Sequence, residues 1–405
     1  MKKLLSILVF LAVLTLSSCA HPEIPGIDRP LAQNEHGYLG MQWLRHINDY
    51  LPSRLPFSDR ELEAAEWIRE TLLEMGFDRN QIEMQTFSYH DDTTSWWGGN
   101  TTRMVAGYEL LGFYNELELL YYSQNVILTI PGYSTETIII GAHYDSVGFP
   151  GISDNAGGIV LLLENAYRTR DIKPYYTLQY VFFGAEEVGL IGSFHFADMM
   201  SQEEIDNLLL MINADSMMDG PDLIYAIAYF DELPPIPSDI LRPEDDPLRL
   251  GIMPSQNSFT GSVERIAARI RRHYNTELIS MPHAITLGTD HVSFFQFATP
   301  AMVFYSTHLV NYPEVAPDDA RIIIPDMFIG DVWHTERDCL DFIMANHPGR
   351  IERALNQFGV FLEEVVSGEL VERSPMPASL LVVGIVGVSV IGIAISFVVV
   401  RKKQH

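Results

Sequence analysis

Three apolar runs in this chain stop at the same kind of residue. Residues 138–140, three consecutive isoleucines, read as a buried strand and lead straight into His143-Tyr144-Asp145. Residues 178–183 lead into Glu186-Glu187, and residues 208–212 into Asn213-Ala214-Asp215. Each run ends at carboxylates or histidine, which points to one pocket. In an open parallel sheet the polar site lies just beyond the carboxyl ends of the strands.

Carboxylates gathered in one pocket repel one another, and burying them unpaired costs several kcal/mol or shifts their pKa values. A divalent cation removes that repulsion. Zinc takes imidazole nitrogen and carboxylate oxygen readily. Two zinc ions roughly 3.5–4 Å apart, sharing one carboxylate and one water, would use all of these groups.

The chain has 405 residues, enough for one large α/β domain or two smaller ones. A formal net charge of −27 repels phosphate and excludes a nucleic-acid partner as the main function. Its simplest consequence is solubility. Two cysteines, Cys19 and Cys339, cannot build a disulfide framework.

Both ends carry targeting signals. Met1-Lys2-Lys3 precedes an apolar stretch, 4–16, so that 1–19 reads as a secretory signal. Leu16-Ser17-Ser18-Cys19 is similar to a bacterial lipoprotein box, in which Cys19 is lipidated; a plain cleaved signal or an uncleaved anchor are the alternatives. Residues 380–400 carry no charge and are long enough to cross a bilayer as a helix. Arg401-Lys402-Lys403 follows at once, which puts the 401–405 tail in the cytoplasm and the body of the chain outside. The expected plan is therefore a signal at 1–19, a linker at 20–35, a domain at 36–370, a second linker at 371–379 and the span.

Within the domain, Ser58-Asp59-Arg60-Glu61 is a capping-box signature, followed by Leu62, Ala65, Ile68, Leu72 and Met75 at helical spacing and Gly76 as a C-cap. Ile82, Met84 and Thr86 alternate as in a strand. Residues 90–107 are irregular and form a pocket-rim insertion or a surface loop. Residues 125–130 read as a strand with Pro131-Gly132 as its turn. Asp154-Asn155-Ala156-Gly157-Gly158 precedes an apolar, buried helix, where the macrodipole favours the Asp154 carboxylate and the glycines allow close backbone approach. A further helix is expected at 189–200. Residues 219–261, rich in proline and acid, read as a loop insertion. Ser262 caps a helix bearing Val263, Ile266, Ala267 and Ile270. Thr289-Asp290-His291 starts a short helix, 301–305 is a strand, and Val332-Trp333-His334-Thr335 precedes a helix ending near Glu372.

At these residues the chain resembles the co-catalytic di-zinc exopeptidases, the bacterial leucyl aminopeptidases and glutamate carboxypeptidase among them (metallopeptidase clan MH), from about Gln42 to Val366. The resemblance implies an α/β fold with a mixed, mostly parallel central sheet and helices on both faces. It implies His143 and Asp215 as terminal ligands of one zinc, Glu187 and His334 as those of the other, and Asp154 as the bridge. Asp145 is then the acid that orients the His143 imidazole. Glu186 is the general base, taking a proton from the attacking water and passing it to the leaving amine. Asp290 and His291 match another piece of the family pattern, shaping the pocket or, for Asp290, capping a helix. Peptides are the implied substrates.

Some members carry a tyrosine just before the last histidine; here Trp333 stands there and offers no hydroxyl. Tyr305 and Tyr312 are the nearby replacements in sequence. Trp-His-Thr is also similar to glutaminyl cyclases, which use the same fold with one zinc. Three readings therefore compete with a membrane-anchored, extracytoplasmic aminopeptidase: a glutaminyl-peptide cyclotransferase, a carboxypeptidase, and a non-catalytic scaffold ectodomain. Glu203-Glu204 and Asp245-Asp246 read as solvated faces, His195, His273, His283 and His347 lack partner spacing, His308 follows a strand, and Cys339 is expected to turn into the core.

Overall fold

Burial on two sides explains why the central strands are apolar along most of their length. The computed structural model describes residues 35–90, 120–228, 265, 268, 277–280, 288–297, 299–308 and 331–367. Its strands are β1 (Ile82–His90), β2 (Leu120–Ile130), β3 (Thr137–His143), β4 (Thr177–Phe183), β5 (Leu208–Ala214), β6 (Asp222–Ala228), β7 (Ile279–Ser280) and β8 (Ala301–Thr307). They form one sheet in the order β1-β2-β4-β3-β5-β8-β6-β7. The four central strands, β4-β3-β5-β8, run parallel, while β1, β2 and β6 join antiparallel. The mixed, mostly parallel α/β sheet is the expected one.

The helices are α1 (Tyr38–Tyr50), α2 (Asp59–Glu74), α3 (Gly157–Thr169), α4 (Ile191–Met199), α5 (Gln202–Asn207), α6 (Leu340–Asn346) and α7 (Arg350–Ser367). Ile138, Ile140, Leu210, Ile212, Met302 and Phe304 face one core, packed with Trp43 of α1, Ile159 and Leu163 of α3, and Phe358 and Phe361 of α7. Ile139, Val181, Phe183 and Met211 face the other, against Phe196 of α4 and Phe294. Each such fully buried side chain contributes about 1.5–3 kcal/mol. From β3 the chain passes through α3 to β4 on one side, then returns to place β5 on the other. The carboxyl end of β3 is thus where the strand order reverses, the place where an open α/β sheet leaves its crevice.

Gly158 is needed at the first turn of α3. A Cβ there would lie 2.6 Å from the Ala214 carbonyl oxygen and 2.8 Å from Ala142 Cβ, so only glycine lets the helix start so close to β3 and β5. At the end of α2, Gly76 takes φ +95° and its N–H meets Leu73 O, while Phe77 N–H meets Leu72 O. This is the Schellman closure a C-cap glycine serves.

Several expectations change. Ser58 accepts from Glu61 N–H at 3.2 Å, but the Glu61 carboxylate does not return to Ser58; it is buried and accepts from Phe57 N–H, Ser123 Oγ–H and Ala185 N–H. Leu62 is exposed and Ala64 takes its place on the buried face. Thr86 is exposed. The helix expected at 189–200 starts at Ile191, because Leu190 has a left-handed backbone. The segment 219–261 is not all insertion: Leu223-Ile224-Tyr225-Ala226-Ile227 forms the core of β6, an apolar run hidden among the surrounding prolines. The single helix after His334 is two, α6 and α7, parted by His347-Pro348-Gly349 with Gly349 at φ +81°. Cys339 is half-buried at the N-cap of α6 rather than inside the core.

Other readings lie outside the described residues: the signal, Cys19 and linker of 1–34, residues 91–107, residues 229–261, Tyr312, His273, His283, most of the Ser262 helix, and everything from 368 on, including the 380–400 span. Among the described residues no helix is long and apolar enough to cross a membrane.

Candidate metal centre

His143 is the last residue of β3, the strand between β4 and β5; it pairs with Phe183 of β4 and is 1% exposed. Its Nδ1 faces Asp145 Oδ1 at 3.4 Å. Its Nε2 faces Asp154 Oδ1 at 2.9 Å, Asp215 Oδ1 at 3.4 Å and Glu186 Oε2 at 4.0 Å. His334 comes from the loop before α6. Its Nε2 lies 3.1 Å from Asp154 Oδ2 and 3.1 Å from Glu187 Oε2. The two oxygens of Asp154 therefore face two different imidazoles. All six side chains read as ligands or base from the sequence meet in one place.

Local structure explains how. Asp215 follows β5 directly, and its N–H is held by Phe304 O in the middle of β8. Glu186 and Glu187 follow β4 through Ala185, which has φ +55°. Ser216 and His334 are left-handed as well, at φ +50° and +52°. Non-glycine residues in this region persist only where the surroundings over-determine them. Here they do. Glu61 takes the Ala185 N–H at 2.9 Å and Asp145 Oδ2 takes the Glu187 N–H at 3.0 Å. Ser306 N–H donates to Ser216 O at 3.1 Å. Asp219 Oδ1 accepts from Val332 N–H and Trp333 N–H, next to His334. Asp145 thus faces the ring of His143 with one oxygen and holds the backbone of Glu187 with the other. Asp154 is 5% exposed, and its peptide bond to Asn155 is cis.

The charges press on one another. Burial alone would pull the His334 imidazole down, but Glu187 and Asp154 lift it to about 11. His143 is likewise raised well above the usual value, Glu186 and Asp215 outweighing burial. Burial pushes Glu187 up to about 7 and Glu186 well above the carboxylate range. Against its own burial, Asp154 is held well below that range by the two imidazoles. In the absence of metal, protons do the compensating, and an ion would displace them.

The donor set fits zinc. A tetrahedral ion holding nitrogen and oxygen at about 2.1 Å sets its ligand atoms about 3.4 Å apart; the contacts at Asp154 and its neighbours run from 2.9 to 3.4 Å. His143, Asp154 and Glu187 form one buried group whose candidate ligand atoms lie within 4.8 Å of one another, and His143, Glu186 and Asp215 another.

The remaining expected residues fall as follows. Asp290 opens a 3₁₀ helix, Asp290–Phe297, with its carboxyl buried near Ser193 and in the field of His143; burial pushes it up to about 7. His291 is buried edge-on to Phe295. Trp333 stacks on His334, ring centroids 4.0 Å apart. Tyr305 packs among Ile224, Ala226 and Val303, between β8 and β6, rather than among the ligands. His308 bonds Asp331 at 2.8 Å. Four residues were not read from the sequence as supports of the site: Glu61, Asp219, Asp338 and Arg54. All are buried, and the main-chain groups they hold lie far away along the chain.

A profile of peptidase family M28 matches residues 125–359, more than half of the sequence. The chain belongs to peptidase family M28. Among curated relatives of this M28 chain, the alkaline phosphatase isozyme conversion protein of Escherichia coli K12 is 26% identical over 200 residues, 45% of this chain and 51% of that protein. Aminopeptidase YwaD of Bacillus subtilis is 37% identical over 81 residues, 20% of this chain and 18% of that protein. The chain thus spans about half, or less, of the length of these relatives. The zinc aminopeptidase BSAP from Bacillus subtilis superposes over 84% of this chain and 97% of its own, with TM-score 0.55 and 16% identity. A glutaminyl cyclase from an Acidobacteriales bacterium does so over 85% and 97%, with TM-score 0.53 and 16% identity. At such identities the likeness is one of fold, and M28 membership rests on the profile.

Proposed function

We propose that this M28 chain is a zinc-dependent aminopeptidase that removes N-terminal residues from peptides, held at the outer face of a membrane by the 380–400 segment. One observation carries the catalytic part: Asp154 turns one oxygen to His143 and the other to His334, with Glu186 beside the first and Glu187 beside the second. That is the arrangement of a carboxylate shared by two cations, with His143 and Asp215 serving one ion and Glu187 and His334 the other. Bound there, a zinc pair supplies an acidified water and a Lewis acid for the scissile carbonyl.

The side chains do the rest. Glu186, next to Glu187 but 4.0 Å from His143, takes the proton of the attacking water and returns it to the leaving amine. Asp145 keeps the proton of the His143 ring on Nδ1, so that Nε2 faces Asp154 and Asp215. No covalent enzyme intermediate is required. The extracytoplasmic placement is supported by the positive n-region, the apolar stretch before Cys19 and Arg401-Lys402-Lys403 after the span.

Trp333 favours a second reading. It stacks on His334 and lacks a hydroxyl, and Trp333-His334-Thr335 is the sequence that resembles the glutaminyl cyclases. One sample decides: purified protein is assayed on leucyl and glutaminyl peptides while its metal is measured. Release of leucine with close to two zinc per chain is expected. Pyroglutamyl product with about one zinc would make it a cyclase, and no zinc with no turnover would make it a scaffold.

A further inference from the structure

We propose that Asp338 is the positioning residue of the shared carboxylate, acting on Asp154 through its backbone. The inference rests on the reading of Asp154 as a ligand of two ions. Asp338 is 2% exposed and follows His334 by four positions in the same loop. Its Oδ1 accepts from Ser153 N–H at 2.7 Å and its Oδ2 from Asp154 N–H at 3.0 Å. The Ile152 N–H meets the carbonyl oxygen of Asp338 at 3.4 Å. A carboxylate gripping two consecutive amides, one with each oxygen, fixes direction as well as distance.

The same segment is held from its other side by Arg54, whose side chain is wholly buried. Its guanidinium donates to Pro150 O at 2.7 Å, to Gly151 O at 3.4 Å and to Tyr144 O at 2.6 Å. Residues 150–154 are therefore clasped at their carbonyls by a cation and at their amides by an anion. Arg54 also ties in the backbone just after His143. The clasp has a geometric purpose: Asp154 can offer one oxygen to each imidazole only while its Cα is fixed to about half an ångström. Because Asp338 and His334 share a loop, the shared ligand and the terminal imidazole of one ion keep their spacing together.

The test uses the full chain. Asp338→Asn keeps the shape but turns an NH₂ against one of the two amides. Zinc affinity, read by competition with a chromophoric chelator, should fall about 10–100-fold, a loss of the size found for residues supporting metal ligands. The kcat should fall with it while KM stays within about twofold. In an Asp154→Asn background, adding Asp338→Asn should change affinity by less than about twofold, since the route through Asp154 is already broken. Wild-type affinity in Asp338→Asn, or a full further loss in the double variant, would overturn the proposal. Should Asp338→Asn not fold, amide exchange in the metal-free parent reads the same grip. Protection of the Ser153 and Asp154 N–H groups equal to that of β3 supports the clasp, and exchange at open-loop rates overturns it. Failure of the underlying reading looks different: the parent itself then binds no zinc.

Discussion

The two imidazoles reach the same carboxylate by different means. His143 ends a central strand that has neighbours on both sides, and it is 1% exposed. The side chain of His334 is 33% exposed, on a left-handed residue of a loop that Asp219 ties down by two amides. One half of the site is a by-product of the sheet. The other is built by buried carboxylates acting on irregular backbone. The strand half should therefore fail only with the fold, whereas the loop half should fail by itself.

Glu186→Gln should have the largest effect. It sits in the strand half yet is assigned no metal, so turnover should fall by about 10²–10⁴ with metal content unchanged; steady-state kinetics with metal analysis checks this, and unchanged turnover removes Glu186 from its role. Asp154→Ala strikes both halves at once. It should abolish binding of the zinc pair, leaving carboxylates and imidazoles poorly compensated, and full occupancy by elemental analysis would break the shared-ligand assignment.

The histidines set the halves against each other. In metal-free protein, His143→Ala should cost about 3 kcal/mol, as when one partner of a buried charge pair is removed. His334→Ala should cost less than half as much while still losing zinc. Equal losses in denaturant melts would erase the distinction.

The smallest effect lies away from both halves. Burial alone would raise the Glu363 carboxyl, but the hydrogen bond to His36 at 2.6 Å and the nearby Arg168 hold it below the usual range. Its folded value lies under the unfolded one of about 4.3, so its contribution is present above that pH and is lost as pH falls further. Glu363→Gln should flatten the acid side of the Tm profile below about pH 4.3 and leave zinc binding alone.

How far the sequence could be read follows the same division. Strand-end site residues were legible because apolar runs stop abruptly at His143, Glu186 and Asp215. The sheet followed from the same runs. Asp338, Asp219, Glu61 and Arg54 were not, because their partners are main-chain groups, 184 and 185 positions away for Asp338 and 113 and 114 for Asp219. No residue pattern marks a backbone amide that needs an acceptor. Glu61 misled in a specific way: the capping signature was genuine at Ser58, but its acid was drawn to the Ala185 turn. β6 was missed because prolines on both sides suggested a loop. The break between α6 and α7 was visible in Pro348-Gly349 and was passed over.

The spatial order β4-β3-β5-β8 has a consequence for how the molecule matures. The first imidazole leaves the ribosome long before the second, and between them come three of the four parallel strands. No fragment shorter than residue 334 carries both. The proposed pair of cations is therefore complete only when the last loop has docked: the side chains for one ion, His143, Asp154 and Asp215, are made early, while the other waits for His334, whose arrival is the clock of the finished site.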